Sequence, residues 1–270
     1  MTPDQREAGI LLSTPRSDGI LCLTLNDPAR RNSLSEAMLA ALGAAFDAAS
    51  TNSDVRVIVL AAVGPVFCAG HDLKEMTAGR QNADRGRAYF TKILDKCSSV
   101  MQKIVACPKP VIAEIDGVAT AAGCQLVASC DLAVASKEAQ FCTPGVHIGL
   151  FCSTPMVALS RNLPNKHAME MLLTGDMVPA SRAAEMGLVN QVVPSAELRA
   201  ASMALAGKIA AKSSLTVATG KHAFYEQKEM DLEAAYNYAS TIMVDNMLAR
   251  DAEEGIAAFI EKRTPEWRDE

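Results

Sequence analysis

Short apolar, β-prone runs alternating with helix-periodic stretches are the feature that most narrows what this chain can fold into. Residues 19–26 read GILCLTLN and are closed by Asp27-Pro28, and residues 55–62 read VRVIVLAA and are closed by Gly64-Pro65. Both predict strands, because aliphatic and β-branched residues suit a buried pleat and the following Pro-containing pairs end it. Between them, residues 35–50 carry apolar residues at helical spacing behind Ser35, whose hydroxyl suits a helix N-cap. The alternation continues with a helix over 89–105, a strand over 110–115, a helix over 124–130 and a strand over 132–135. Strands separated by crossover helices predict a parallel sheet covered on both faces, with ligands beyond the carboxyl ends of its strands.

From Thr154 onward the character changes. Only 188–193 predicts a strand, while helical periodicity covers 153–161, 166–173, 181–186, 196–211, 231–248 and 252–262. The expected organisation is an α/β core over 1–195 and a helical C-terminal region over 196–270. With 270 residues, 49% of them apolar, the chain can bury a large core.

Charge and cysteine usage then exclude several functions. The net charge is −5 and Lys and Arg are dispersed, which removes the long-range attraction expected of a nucleic-acid binder. Any anionic ligand must therefore be held by local cations. The eight cysteines fall mostly inside apolar runs without paired C-x-x-C spacing, so they read as reduced core thiols rather than a metal site. No apolar run approaches the ~18–20 residues that span a bilayer. Asp4 and Glu7 interrupt the start of the chain where a signal or transit peptide would be apolar or basic. A cytoplasmic protein without a membrane partner is the expectation.

Two loops invite chemistry. One, Phe67-Cys68-Ala69-Gly70-His71-Asp72-Leu73-Lys74-Glu75, joins a strand to a helix. Its small residues admit a ligand close to the backbone, and Asp72 suits a helix N-cap. The other, Asp116 to Gly123, again precedes a helix, whose first N–H groups carry partial positive charge. Each alone is compatible with an ordinary strand-to-helix turn. Together, at the ends of adjacent strands, they could aim two N–H donors at one carbonyl oxygen.

The segments FCAGHDLKEM, GVATAAGCQLVASCDLAVAS, AQFCTPGVHIGL, MLLTGDMVPASRAAEMGLVNQVV and AFIEKRTPEW resemble, in the same order, segments of the crotonase (enoyl-CoA hydratase/isomerase) superfamily. The resemblance runs from about residue 18 to the end. It implies an α/β fold of repeated ββα turns forming a spiral, with a helical C-terminal region used in trimer formation and often a dimer of trimers. It implies an acyl-CoA thioester as substrate or ligand and no resident cofactor or metal. The oxyanion hole maps onto the backbone N–H groups of His71 and Ala122. The adenine-pocket segment maps onto Cys68, Ala69, Gly70, His71, Asp72 and Leu73, the phosphates meet Arg30 and Arg31, and Phe259 and Lys262 match residues that reach the CoA of a neighbouring subunit.

The resemblance also exposes a departure. Hydratases of this superfamily use two glutamates to move the protons of water addition, and their positions fall here on Gln125 and Gly145. An amide can hold a water but neither takes nor supplies a proton at neutral pH, and glycine offers no side chain. Losing both groups, at ~10²–10⁴-fold each, makes two-glutamate hydration inefficient. His71, in the loop itself, and His147, one turn past Gly145, are the candidate substitutes, with a loop-fixing role for His71 and a solvent position for His147 as the alternatives. Three functions are compatible: an enoyl-CoA hydratase/isomerase-type enzyme with unusual acid/base groups, acyl-CoA decarboxylation included; a non-catalytic CoA-ester-binding protein; and an interaction protein that has lost CoA binding. If the scaffold is otherwise intact, Gln125→Glu with Gly145→Glu is expected to raise crotonyl-CoA hydration measurably, by a small amount if neighbouring side chains fill the space the second glutamate needs.

Overall fold

The computed structural model describes residues 9–270, so the expectation built on Asp4 and Glu7 lies outside the described residues. The chain opens with β1 (Leu11–Pro15), β2 (Ile20–Leu25), α1 (Glu36–Thr51), β3 (Val57–Ala62) and β4 (Val66–Cys68). It continues through α2 (Leu73–Gly79), α3 (Arg87–Ala106), β5 (Val111–Ile115), β6 (Val118–Thr120), α4 (Ala122–Ser129), β7 (Leu132–Ser136) and β8 (Gln140–Cys142). After a short 3-10 turn come α5 (Ser153–Asn162), α6 (Asn165–Thr174), β9 (Val178–Pro179), α7 (Ala180–Met186) and β10 (Gln191–Val193). Four helices finish the chain: α8 (Ser195–Ala210), α9 (Ser214–Gln227), α10 (Leu232–Met247) and α11 (Arg250–Glu261).

The strands form two sheets, ordered β1-β2-β3-β5-β7-β10 and β4-β6-β8-β9. Each of the pairs β3/β4, β5/β6 and β7/β8 places its first strand in the larger sheet and its second in the smaller, and the pairing is parallel except at β1 and β9. This is the ββα spiral that the resemblance implies. The apolar runs read as strands are buried on both faces because period-2 alternation gives each face its own partner. Ile20, Cys22, Val57 and Val59 pack with Leu198 and Ala206 of α8, while Leu21, Leu23, Leu25, Ile58 and Leu60 join the main core with α1, α3 and α4.

The helix starts follow local chemistry. Ser35 Oγ accepts from Met38 N–H at the start of α1, and Asp72 accepts from the N–H groups of Lys74 and Glu75 at the start of α2. Caps of this kind contribute ~1 kcal/mol each. The strand expected over 188–193 shrinks to Gln191–Val193, because Leu188 and Val189 are buried beyond α7 and Leu188 N–H closes that helix on Ala183 O at 2.9 Å.

Candidate active site

Because β4 and β6 are parallel neighbours, with Val66 opposite Val118 and Cys68 opposite Ala119, the loops leaving them end side by side. The adjacent strands thus belong to the smaller sheet, whose elements are too short to announce themselves. The loops touch: a Cβ on Gly70, at φ 81°, would lie 3.0 Å from Thr120 O and 3.1 Å from Ala122 N. A Cβ on Gly123 would lie 2.1 Å from Cys68 O, so only glycine permits this approach. Thr120 Oγ1 donates to Ala69 O at 3.1 Å, and Leu34 N–H donates to Gly70 O at 2.8 Å, fixing the first loop from both sides.

Ala121 turns the second loop at φ 51°, ψ −119°, a conformation that a residue with a Cβ rarely adopts and that costs ~1–3 kcal/mol. It is held by Ala121 N–H to Cys142 O at 2.9 Å and by Gln125 N–H to Ala121 O at 3.0 Å. Ala122 N, the first N–H of α4, follows directly and lies 3.1 Å from where a Cβ on Gly70 would stand. Neither His71 N–H nor Ala122 N–H donates to a protein acceptor among the described residues. Two unspent donors on touching loops, one at a helix N-terminus, can stabilise negative charge on a carbonyl oxygen.

The side chains around these donors are unusually unpartnered. His71 Nε2 is buried without a hydrogen bond, and burial pushes the imidazole below its ordinary pKa, so the ring is neutral at pH 7. Gln125 is 4% exposed and its Oε1 has no partner. It borders a 570 Å³ cavity shared with α3, α5 and α9. An unsatisfied buried amide costs ~1–3 kcal/mol and waits for a ligand or a water.

Gly145 sits where no side chain fits. A Cβ there would lie 2.7 Å from Leu150 O and 2.9 Å from Cys152 Sγ. The expected rescue by Gly145→Glu therefore lacks its premise, because the chain itself fills that space. His147 does not turn toward Gly145 either: its Nε2 bonds Thr174 O at 2.8 Å and its ring lies against Gly175, a tie between the 3-10 turn and the end of α6. Cys152 is buried with its thiol pKa pushed up by desolvation, an inert state.

The residues matched to the nucleotide end separate into committed and open groups. Arg30 meets Asp72 at 2.5 Å and Glu75 at 3.1 Å, while buried Asp72 also accepts from Ser33. Arg31 is exposed at φ 56° and makes no ion pair among the described residues. Cys68 is fully buried, with its thiol pKa pushed up to about 12 by desolvation, and it packs rather than binds. Leu73 is exposed at the start of α2. Phe259 is 85% exposed on α11, and Lys262 caps that helix in the left-handed region.

Sequence reasoning missed α9 and what it brings. Its Lys221 meets Asp131 at 2.7 Å, and its Tyr225 hydroxyl donates to the same carboxylate at 2.9 Å, which also accepts Val111 N–H. Asp131, between α4 and β7, is the junction that docks α9 on the core beside Gln125. Burial and the adjacent carboxylate push the Tyr225 pKa up, so its proton stays on the bridge. No pattern in the sequence pairs residues so far apart.

A fold of two-strand steps carrying two unspent N–H donors on touching loops is a scaffold that can stabilise negative charge developing on a carbonyl oxygen. The chain belongs to the enoyl-CoA hydratase/isomerase family, which it matches over residues 15–270. It is 49% identical to the enoyl-CoA hydratase domain-containing protein 3, mitochondrial, of Rattus norvegicus, over 95% of this chain and 84% of that protein. The crystal structure of the human enoyl-CoA hydratase domain-containing protein 3 superposes with a TM-score of 0.91 at 48% identity, covering 96% of this chain and 100% of the other. An enoyl-CoA hydratase from Mycobacterium smegmatis gives 0.92 at 52% identity, covering 96% of this chain and 99% of the other. The expectation of a cytoplasmic protein is overturned, since the vertebrate relatives are named mitochondrial. Composition carries no compartment signal that would have anticipated this. No helix among the described residues is long and apolar enough to cross a membrane.

Proposed function

We propose that this hydratase/isomerase-family chain binds an acyl-CoA thioester with its carbonyl oxygen between His71 N and Ala122 N, and promotes lyase or isomerase-type chemistry by stabilising the thioester enolate. The observation that carries this reading is the pair of unspent N–H donors on touching loops, held there by strained Ala121. A donor pair of this kind is worth ~10²–10³-fold per donor when charge develops on the oxygen.

The proton steps in this reading differ from two-glutamate hydration. Gln125 orients a water or a ligand hydroxyl through its free amide but exchanges no proton. Neutral His71 is the titratable group available beside the carbonyl. Crotonyl-CoA hydration is accordingly slow. At the nucleotide end, Arg31 supplies a cation that makes no ion pair among the described residues, while Arg30 stays in its carboxylate cluster. The exposed apolar residues of α10 and α11, Leu232 (75%), Phe259 (85%) and Ile260 (73%) among them, support assembly of at least three copies, with Phe259 and Lys262 completing a neighbour's CoA site.

The test joins calorimetric titration with crotonyl-CoA to a mass-spectrometric turnover screen of enoyl-, hydroxyacyl- and malonyl-type CoA esters. Binding with conversion of at least one ester supports the reading. Absence of binding by every ester refutes it, and binding without any conversion removes its catalytic half.

A further inference from the structure

An N–H donor is aimed only as well as the peptide plane that carries it. His71 N shares a trans peptide with Gly70 O, so the two point in opposite directions. Leu34 N–H holds Gly70 O at 2.8 Å, and Leu34 pairs with His71 as an isolated parallel bridge. Nearer β4 the same segment grips the loop again, where Arg31 O accepts Ala69 N–H at 3.1 Å and leaves Cys68 O, across that peptide, against Gly123. His71 N–H and Cys68 O therefore both face away from residues 31–34, on the side of the second loop.

One side chain seats that segment. Asn32 is 0% exposed; its Nδ2 donates to Val63 O at 2.9 Å and to Val66 O at 2.8 Å, and its Oδ1 accepts Asp27 N–H at 2.8 Å. Val63 follows β3, and Val66 opens β4, the strand that delivers the loop. Both amide hydrogens and the amide oxygen are thus engaged by backbone.

The position suits asparagine for two reasons. Arg31 at φ 56° and Asn32 at φ 50° stand in succession in the left-handed region, which asparagine enters more readily than most residues with a Cβ. Aspartate would supply neither donor, and glycine none of the three contacts. Full burial also keeps Asn32 from touching a ligand, so what it does for a reaction it does through the segment it holds.

Resting on the function proposed above, we infer that Asn32 is a positioning residue for the oxyanion hole: its amide seats residues 31–34 against the start of β4, and that segment aims His71 N–H at the thioester oxygen. Removing the amide misaims this donor without deleting it. Deleting a donor costs ~10²–10³-fold in charge stabilisation, and misaiming one costs about 10-fold.

The experiment takes the full-length protein and Asn32→Gly, each saturated with acetoacetyl-CoA, through an alkaline pH titration. This β-keto thioester loses a C2 proton to solvent, and the enolate left behind, its charge on the carbonyl oxygens, is read from its near-ultraviolet absorbance. In the saturated complex the midpoint reports only the difference between the bound keto and enolate forms, so a loss of stability or of nucleotide affinity alone does not move it. His71, its pKa lowered by burial, stays neutral across that range, and Asp72, its pKa also lowered, stays ionised. Asn32→Gly keeps the left-handed backbone accessible, and its midpoint is expected about one pH unit, or 10-fold, above that of the wild type. A rise of ~0.5 unit or more supports the inference, and a smaller one, with Tm lowered, makes Asn32 a purely structural residue and overturns it. If that variant fails to fold, Ser33→Ala decides, since it removes only the bond from Ser33 Oγ to Asp72 Oδ2 at 3.2 Å, next to His71. A rise of ~0.3 unit or more in that variant supports the inference and a smaller one overturns it. A wild-type protein that does not bind acetoacetyl-CoA, or binds it with the midpoint of the free ester, is instead the failure of the proposed function, and the inference falls with it.

Discussion

Placing glutamates back at positions 125 and 145 should give two opposite results, because the two positions differ in space rather than in chemistry. Gln125→Glu is isosteric, and the side chain borders the cavity, so the new carboxyl fits the volume of the old amide. Burial raises its pKa toward neutrality, which suits a group that must both give and take a proton. One such group is worth ~10²–10⁴-fold when placed well, and a ~1 Å error can remove ~10²-fold, so a gain of about 10-fold in crotonyl-CoA hydration is expected. Gly145→Glu is different. Its Cβ would stand 2.7 Å from Leu150 O, on a turn closed by Leu150 N–H to Gly145 O at 2.9 Å. Relief requires moving backbone, at ~1–3 kcal/mol for overpacking. For a chain of this size that lowers Tm by about 2–4 °C per kcal/mol. The double variant should therefore be less stable than Gln125→Glu and no faster. Thermal melts and the ultraviolet absorbance of the conjugated thioester measure both. A double variant as stable as the parent and faster than Gln125→Glu would refute the steric argument.

Three further outcomes follow from the same geometry. Ala121→Gly relieves a backbone strain of ~1–3 kcal/mol against ~0.5–1 kcal/mol of added chain entropy, so Tm should rise by a few degrees while thioester affinity falls; a lower Tm would show that Ala121 is unstrained. His71 has its pKa depressed by burial, so on acidification the unfolded chain takes up the proton first, near pH 6.5. The stability that His71 contributes is complete above that pH and is lost as pH falls toward its folded pKa, at no more than ~1.4 kcal/mol per pH unit, and the Tm-against-pH slope below 6.5 should be shallower in His71→Leu; equal slopes would count against a buried neutral ring. Phe259→Asp, on a face 85% exposed in the single chain, should reduce the mass measured by light scattering and weaken CoA binding together; an unchanged mass would remove the assembly proposed for α11.

Legibility in the sequence followed element length and locality. The strands of the larger sheet run five or six residues where they are apolar on both faces, enough to stand out between Pro and Gly breaks. Those of the smaller sheet run two or three, below what alternation can mark, so the strands that bear the loops went unseen while the loops themselves did not. Edge strand β1 is half exposed and ends at Pro15, which hides it further. α9 mixes Gly220, Lys221 and His222 among its apolar residues and presents no clear stripe, although it carries the lysine that locks Asp131. The backbone donors at His71 and Ala122 were legible only through motif resemblance, since an N–H group leaves no trace in residue identity. Strain at Ala121 and the occupied space beside Gly145 are tertiary facts that no spacing encodes.

The central claim concerns where a thioester oxygen sits. A crystal structure of the protein with butanoyl-CoA measures it directly. The account predicts the carbonyl oxygen within ~2.7–3.2 Å of both His71 N and Ala122 N, with the acyl chain directed past Gln125. A thioester bound with its carbonyl oxygen more than ~3.5 Å from either nitrogen would contradict it.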